Sequence, residues 1–399
     1  MRKIINFLQE FSIPLIAGVV TALIWANVAP HNYHEFVHKE LFFGENLHFF
    51  INDIFMVFFF AMAGVEIVQA VMPGGDLNPI KKAINPLLAT LGGVLGPVAV
   101  YLILNSIIGS PELTKGWGIP TATDIALAWL VASFVFGAQH PAVKFLLLLA
   151  IADDAIGLVI IAVFYPDPLH PVAPIWLLLV LAGMAVAFIL RKMNVRSYWP
   201  YLLTAGILSW TGLHKAHLHP ALALVFIVPF LPHPNKEKAH LFEADVNEHS
   251  TLHQFEHEWK LFVDFGLFFF GLTNAGVELS GIGTATWLVF FGLLVGKTLG
   301  VNLFARIAQL IGFPLPTGMG QKELFVAGLV TGLGLTVALF VAGSAFTDPV
   351  IQGSAKMGAL FSAFVAVIAI VVGKMLRIEK VSEVKETRVS DNKKILITE

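Results

Sequence analysis

Two adjacent carboxylic acids, Asp153 and Asp154, lie inside the apolar run 143–164. An ionisable group at membrane depth costs roughly 2.5–3.5 kcal/mol on insertion scales, so it is kept where it has a function, most often in moving ions or protons. Oxygen ligands suit a small hard cation such as Na⁺ or Li⁺, and protons compete with that cation for the same carboxylates. The pair therefore predicts a site that holds either protons or a metal ion.

Two further ionisable residues extend this site. Asp124 ends the polar run Thr121-Ala122-Thr123-Asp124, and Lys297 lies about eleven residues into the apolar run 286–310. Consecutive residues on a helix point about 100° apart. One aspartate of the pair can therefore face Lys297 while the other faces a water-filled cavity.

An interrupted helix is predicted in the segment 116–130, where Pro120 lacks an N–H group and disfavours helix at the preceding residue. Thr121 and Thr123 could donate their hydroxyls to backbone groups that such a break frees. Asp124 would offset the positive N-terminal ends of the half-helices, and Lys297 the negative C-terminal ends. A simpler interpretation, a helix that merely begins near the membrane boundary, stays open.

The second half of the chain contains a matching segment, 328–338, rich in glycine and threonine: Gly328, Thr331, Gly332, Gly334 and Thr336. Interrupted helices at corresponding positions of two halves indicate a transport site. The alternative is that these glycines serve only close helix packing.

The composition indicates an integral membrane protein and a transporter rather than an enzyme. Hydrophobic residues form 57% of the 399 residues and charged residues 13%, whereas soluble domains carry about 25% charged residues. A net charge of −2 argues against nucleic acid as a partner. The absence of cysteine excludes disulfides and thiolate metal sites. We expect no cofactor apart from the transported ions.

Hydropathy predicts an all-α polytopic protein with about twelve spans, at 12–29, 48–71, 84–108, 118–136, 141–164, 174–190, 199–213, 217–231, 257–278, 286–310, 324–345 and 355–377. Lysine and arginine are concentrated on the side of the N-terminus, so the positive-inside rule places both termini in the cytoplasm and the protein in the cell inner membrane. A cleavable signal is the alternative for the first span. The charged stretch 379–399 predicts a disordered cytoplasmic tail.

The long internal loop 232–256 is rich in histidine and glutamate. His249, His253 and His257 recur every four residues, so a helix would align them on one face. Three interpretations remain: a solvated surface helix, a pH-responsive element, because histidine titrates near neutral pH, or a metal site.

Five motifs follow one another across nearly the whole chain: Thr121-Ala122-Thr123-Asp124-Ile125-Ala126, Ile151-Ala152-Asp153-Asp154, Thr273-Asn274-Ala275-Gly276-Val277, Leu294-Val295-Gly296-Lys297-Thr298-Leu299-Gly300 and the stretch 332–336. In this order they resemble the NhaA family of sodium/proton antiporters. The resemblance implies inverted-topology repeats with two broken, crossing helices. It also implies electrogenic exchange of Na⁺ or Li⁺ for H⁺ by alternating access, in the service of pH and sodium homeostasis.

The same resemblance assigns roles to residues. Asp154 would be the central sodium ligand with Asp153 beside it, Asp153 would pair with Lys297, and Asp124 and Thr123 would lie at the crossing. A single membrane domain, 1–378, would contain a transport bundle (about 84–164 and 286–377) and interface helices (about 12–71 and 174–278). The expected partners are Na⁺, Li⁺, H⁺ and the lipid bilayer, and a homodimer is one candidate assembly.

The chain departs from the family pattern next to Glu66. The family carries a charged cluster there that is linked to its pH response, whereas this chain has uncharged Val68, Gln69 and Ala70. Glu66, His253 and His257 are therefore the candidate regulatory residues, and we expect an altered dependence of activity on pH.

Two other functions fit some of these features. A sodium-coupled symporter of a small organic substrate would also use broken helices and buried acids. An intramembrane aspartyl protease needs two carboxylates on facing helices, whereas Asp153 and Asp154 are consecutive on one, and Lys297 would have no role in it.

Overall fold

The structure is a computed structural model that describes residues 12–42, 44–78, 80–167, 170–233 and 250–380. Its α-helices are Ile13–Val28, Pro30–His38, Leu47–Phe49, Met56–Val71, Ile80–Ile108, Ile125–Phe136, Pro141–Phe164, Leu177–Lys192, Ile207–Lys215, Thr251–Asn274, Thr284–Phe291, Thr298–Leu310, Gln321–Val330, Thr336–Ala345, Pro349–Phe361 and Ala363–Met375. Short 3₁₀ segments are Pro111–Thr121, Pro174–Trp176, Pro220–Leu222, Val228–Phe230 and Leu279–Gly281. Wider π turns occupy Phe50–Phe55, Tyr201–Gly206 and Gly292–Lys297.

Long apolar helices confirm the predicted all-α membrane fold. Within the described ranges, six are long and apolar enough to cross a membrane: Leu47–Val71, Ala83–Ile108, Pro141–Phe164, Pro174–Lys192, Thr284–Leu310 and Pro349–Met375. A helix of about 20 residues spans the hydrocarbon core of a bilayer. Pro111–Thr121 and Ile125–Phe136 are long and apolar enough only when taken together, and a bend of 57° separates them.

Two local predictions differ from the structure, and one element is additional. The predicted span 217–231 contains only 3₁₀ segments and turns, because Pro220 and Pro229 cannot donate helical hydrogen bonds. Helix Thr251–Asn274 begins before the predicted span 257–278, since the Ser250 hydroxyl accepts from His253 N and caps it. A small antiparallel pair of strands, Glu40–Phe42 and Glu45–Asn46, was not predicted.

Two interrupted spans cross in the interior. The first broken span, 111–136, changes direction through extended backbone at Ala122 and Asp124. The second broken span, 321–345, is interrupted between Gln321–Val330 and Thr336–Ala345. The first half of each packs against the second half of the other, so the two spans run in opposite directions. Asp124 N donates to Leu333 O across 2.6 Å and joins the two breaks.

Small residues bring the helix that carries Lys297 close to its neighbour. A Cβ added at Gly300 would lie 1.9 Å from Gly92 O, and one at Gly296 would lie 2.4 Å from Pro97 Cα. Glycines four residues apart, at Gly292, Gly296 and Gly300, allow backbone contact of this kind between helices. It places Lys297 at a fixed depth against helix Ile80–Ile108.

Buried apolar side chains form two clusters. The smaller one contains residues from helices Ile125–Phe136, Pro141–Phe164 and Gln321–Val330, with Ala89, Val301 and Val365. All of its members fall in the predicted transport bundle. The division of the chain into transport bundle and interface helices stays a prediction. Residues 381–399, most of the predicted tail, lie outside the described part of the chain.

Candidate functional site

Asp124 lies where the N-terminal ends of two half-helices meet. Its Oδ1 accepts from Leu127 N at 3.1 Å and its Oδ2 from Thr336 N at 3.4 Å. One carboxylate therefore faces the positive ends of Ile125–Phe136 and of Thr336–Ala345, which offsets both helix dipoles. The side chain is buried, so this compensation operates away from water.

Lys297 is fully buried and contacts Asp153 and Thr123. Its Nζ forms a salt bridge with Asp153 Oδ2 and donates to Thr123 Oγ1 at 2.8 Å. This is the pairing with Asp153 that the family resemblance implies. A full carboxylate charge attracts an ammonium group more strongly than the partial charge of a helix end, and the offset of the C-terminal helix ends by Lys297 stays a prediction.

Thr123 connects this pair to the second broken span. Its hydroxyl lies 2.7 Å from Asp153 Oδ2 and 3.0 Å from Thr331 O, the carbonyl that follows the first half-helix. The hydroxyl has one hydrogen, so it donates to one of the two acceptors at a time while it accepts from Lys297. Any change in the charge of Asp153 therefore alters a hydrogen bond at the crossing.

Asp154 has different surroundings. It lines a cavity of about 440 Å³, which we call the Asp154 cavity. Oδ1 of Asp153 and Oδ1 of Asp154 have no hydrogen-bond partner among the described residues. A buried carboxylate oxygen in this condition is a ready acceptor for a cation or a proton. The two aspartates therefore offer one sealed and one accessible carboxylate.

The Asp154 cavity contains three further charged residues. Glu66, a candidate regulatory residue, lines it, and so do Lys260 and Asp264, which were not predicted as site residues. Both lie in the predicted span 257–278, four residues apart on one helix face. Charges inside an otherwise apolar run were the signal that could have identified them.

A second cavity, of about 740 Å³, lies at the other end of the helices; we call it the histidine cavity. Along Leu47–Val71, His48 and Asp53 line the histidine cavity, whereas Ala63 and Glu66 line the Asp154 cavity. The rings of Phe60 and Phe340 pack edge to face between them, with centroids 5.2 Å apart. Apolar packing thus separates Asp154 from the histidine cavity.

Three further predicted residues lie at the crossing of the two broken spans. Thr121 Oγ1 donates to Gly118 O at 2.7 Å and closes the 3₁₀ half of the first broken span. A Cβ at Gly332 would lie 2.8 Å from Leu293 O, and one at Gly334 would lie 2.7 Å from Ala122 O. These residues shape the crossing.

The candidate regulatory histidines lie on the protein surface. His253 and His257 are exposed in the first turns of Thr251–Asn274, and His253 Nδ1 lies 3.5 Å from Glu256 Oε2. Gln69 Nε2 donates to the same oxygen at 2.6 Å. The uncharged Gln69 is therefore hydrogen-bonded to the helix that carries both histidines. His249 lies outside the described residues.

Three comparisons with known proteins agree with one another. The family model "Na+/H+ antiporter 1" matches residues 2–374. The Na(+)/H(+) antiporter NhaA of Desulfitobacterium hafniense is 69% identical over 382 residues, 96% of this chain and 98% of that protein. The Na(+)/H(+) antiporter NhaA of Geobacter sulfurreducens is 66% identical over 381 residues, 96% of this chain and 100% of that protein.

A solved structure supports the fold. The sodium proton antiporter MjNhaP1 from Methanocaldococcus jannaschii at pH 8 superposes with a TM-score of 0.56 at 17% sequence identity. The superposition covers 92% of each chain. At 17% identity, this similarity shows a shared arrangement of helices.

Proposed function

The chain belongs to the Na+/H+ antiporter 1 family, and on this premise we propose that it exchanges Na⁺ for H⁺ at Asp154. Its relatives are named Na(+)/H(+) antiporters, so it is a multi-pass membrane transporter that exchanges these two ions. The comparisons do not support a symporter or an intramembrane aspartyl protease. The observation that carries the assignment to Asp154 is its half-buried carboxylate, which lines a cavity and whose Oδ1 has no hydrogen-bond partner among the described residues, beside a neighbour already paired with Lys297.

Sodium binding begins at Asp154, because this carboxylate lines a cavity while Asp153 is sealed by its contacts. A cation held there attracts the unpartnered Oδ1 of Asp153 as a second oxygen ligand. The proton of Asp154 must leave before the cation binds, since both occupy the same oxygens. Competition for one carboxylate therefore couples the two ions without a resident cofactor.

Lys297 supplies a second proton in this proposal. When sodium draws Asp153 away, the buried ammonium group loses its carboxylate partner. An unpaired buried charge is costly and is relieved by losing the proton. Two protons would then move for each sodium ion, so exchange would be electrogenic. Li⁺ is also a hard cation for oxygen ligands, and we include it as a substrate.

Alternating access requires the barrier to move from one side of Asp154 to the other. The packed rings of Phe60 and Phe340 lie between Asp154 and the histidine cavity. We propose that a shift of the two broken spans against helix Leu47–Val71 opens this contact and closes the Asp154 cavity. Asp124 and Thr123 would preserve the crossing during the shift. Asp124 accepts hydrogen bonds from both broken spans, and Thr123, which belongs to the first, can donate its hydroxyl to Thr331 O of the second.

The distribution of lysine and arginine supports an orientation in the cell inner membrane with both termini in the cytoplasm. In that orientation the Asp154 cavity opens to the cytoplasm and the histidine cavity to the outside. A homodimer within the bilayer is the assembly that we propose to test.

A sodium jump in proteoliposomes tests the exchange. Purified protein is reconstituted with a pH-sensitive dye inside the vesicles, and NaCl, LiCl or choline chloride is added outside. Inward movement of sodium or lithium should drive protons out of the vesicles and so lower the internal proton concentration, and choline should not. Equal responses to sodium and choline would contradict antiport.

A further inference from the structure

Three side chains with metal-binding atoms converge at the rim of the histidine cavity. The ligand atoms of Asp167, His170 and His217 all lie within 4.8 Å of one another. His170 Nδ1 is 2.8 Å from Asp167 Oδ2, and the rings of His170 and His217 stack with centroids 4.8 Å apart. These residues take no part in the exchange proposed at Asp154.

The backbone fixes two of these residues relative to each other. Asp167 N donates to His217 O at 3.0 Å, and Ala173 N donates to Ala216 O at 3.1 Å. His217 has a φ of 60°, a left-handed conformation that few residues other than glycine adopt and in which histidine is enriched. The loop after helix Pro141–Phe164 is thereby joined to the turn that carries His217.

The donor set suits one class of ion. Two imidazoles and one carboxylate, with a fourth position left to water, form the ligand set of open zinc sites. Tetrahedral zinc ligands lie roughly 3.3 Å apart, so small rotations of the side chains would bring the three donors around an ion. His170 is 57% exposed and Asp167 35% exposed on their side chains, so an ion could reach them from solution.

We propose that Asp167, His170 and His217 form a binding site for a divalent transition-metal ion of the zinc class. A further acidic residue, Asp53, lies in the same cavity, and so does the basic residue Lys215. The chain contains no cysteine, so thiolates cannot compete for the ion.

Metal binding there would restrain transport, and this consequence rests on the proposed exchange at Asp154. Asp167 and His170 follow the helix that carries Asp153 and Asp154, while His217 lies beyond helix Ile207–Lys215 in the predicted interface part. An ion bound to all three would strengthen the cross-link that the backbone hydrogen bonds already make between the two parts. If they move relative to each other during the cycle, the bound ion slows exchange.

Binding is tested on the full-length protein in detergent, purified without a histidine tag. Titration with Co²⁺ reports coordination by visible absorption, and displacement by Zn²⁺ gives the affinity. We expect one tight site in the wild type and binding at least about tenfold weaker in His170→Ala, His217→Ala and Asp167→Asn. Thermal unfolding of each variant shows whether it is folded.

His214→Ala is the matched control. His214 lines the same cavity but stacks on Trp210 with ring centroids 5.0 Å apart, so its loss should leave Co²⁺ binding unchanged. A second control replaces His34 and His38, whose rings stack on each other beside His48 but do not line the histidine cavity. Wild-type affinity in folded His217→Ala, or loss of the site in either control, would overturn the proposal.

The transport consequence is measured separately in proteoliposomes. Zn²⁺ added on the side of the histidine cavity should slow sodium-driven exchange severalfold in the wild type and in His214→Ala, and chelation should restore it. His170→Ala with His217→Ala should be insensitive. Tight binding with unchanged exchange would overturn the cross-link. Absence of exchange in metal-free wild type would contradict the proposed function and leave the binding result intact.

Discussion

Asp153 and Asp154 are neighbours in the chain, yet one belongs to a sealed ion pair and the other to an accessible cavity. Asp153 is buried against Lys297 and Thr123, whereas Asp154 shares its cavity with Glu66, Lys260 and Asp264. The angle of about 100° between consecutive helical residues is enough to create this difference. One dipeptide can therefore provide a stabilising charge and a binding carboxylate at the same depth.

The difference between the two aspartates depends on the helix that carries Lys297. Lys297 ends the π turn Gly292–Lys297, and π turns inserted in α-helices are frequent at functional sites. Gly296 and Gly300 hold that helix in backbone contact with its neighbour. The ammonium group is thereby brought to Asp153, and Asp154 is left to face the cavity.

Loss of the accessible carboxylate should have the largest effect. Asp154→Asn keeps the size of the side chain and removes its charge, so we expect sodium/proton exchange to be abolished while the protein remains folded. Glu66→Gln, a charge removal in the same cavity, is the matched control and should retain exchange. Exchange of Asp154→Asn at the wild-type rate in proteoliposomes would remove the distinction between the two aspartates.

Disruption of the sealed pair should act on stability. Removing one partner of a buried ion pair costs about 3–5 kcal/mol, whereas replacing both is often close to neutral. Lys297→Ala should therefore lower the unfolding temperature more than Lys297→Ala combined with Asp153→Asn. Thermal unfolding of the wild type, both single variants and the double variant forms the cycle. Effects that simply add would contradict a direct pair.

A change at the crossing should have an intermediate effect. A Cβ at Gly334 would lie 2.7 Å from the backbone oxygen of Ala122, so Gly334→Ala must displace one broken span from the other. Overpacking of this kind costs about 1–3 kcal/mol, and we expect slower exchange with it. Gly281→Ala is the control, because nothing lies within 4 Å of its added Cβ. Equal stability and exchange rates in the two variants would show that the contact is unimportant.

The smallest effect is expected at the surface histidines. His253→Gln combined with His257→Gln should shift the dependence of exchange on pH. The maximal rate should stay unchanged, because both side chains lie outside the Asp153–Lys297 pair and outside the Asp154 cavity. Exchange is measured from about pH 6 to about pH 9. Superimposable curves would leave competition at Asp154 as the source of the pH dependence.

The features of the site that arise within one segment of the chain could be predicted from the sequence. The depth of Asp153 and Asp154, the break at Pro120 and the glycines around Gly334 all follow from local composition. The contacts among Thr123, Lys297 and Thr331 join distant segments and could not be obtained without the fold. The π turn that ends at Lys297 could not be predicted either, because no pattern of residues distinguishes its wider hydrogen bonding from that of an α-helix.

Two other features of the structure could not be predicted from the sequence, for physical reasons. The stretch 217–231 is apolar enough to resemble a span, but Pro220 and Pro229 reduce it to 3₁₀ segments and turns. Asp167, His170 and His217 are separated by up to fifty residues, and the hydrogen bonds between their loops bring them together. A single sequence carries no signal for that approach.

The central claim is that sodium and protons replace each other at Asp154, and calorimetry of sodium binding tests it most directly. Purified protein in detergent is titrated with NaCl in two buffers that differ in enthalpy of ionisation, and the difference in heat gives the protons released per sodium bound. We predict proton release by the wild type, and neither sodium binding nor proton release by Asp154→Asn. Sodium binding by the wild type without proton release, or unchanged proton release by Asp154→Asn, would contradict the account.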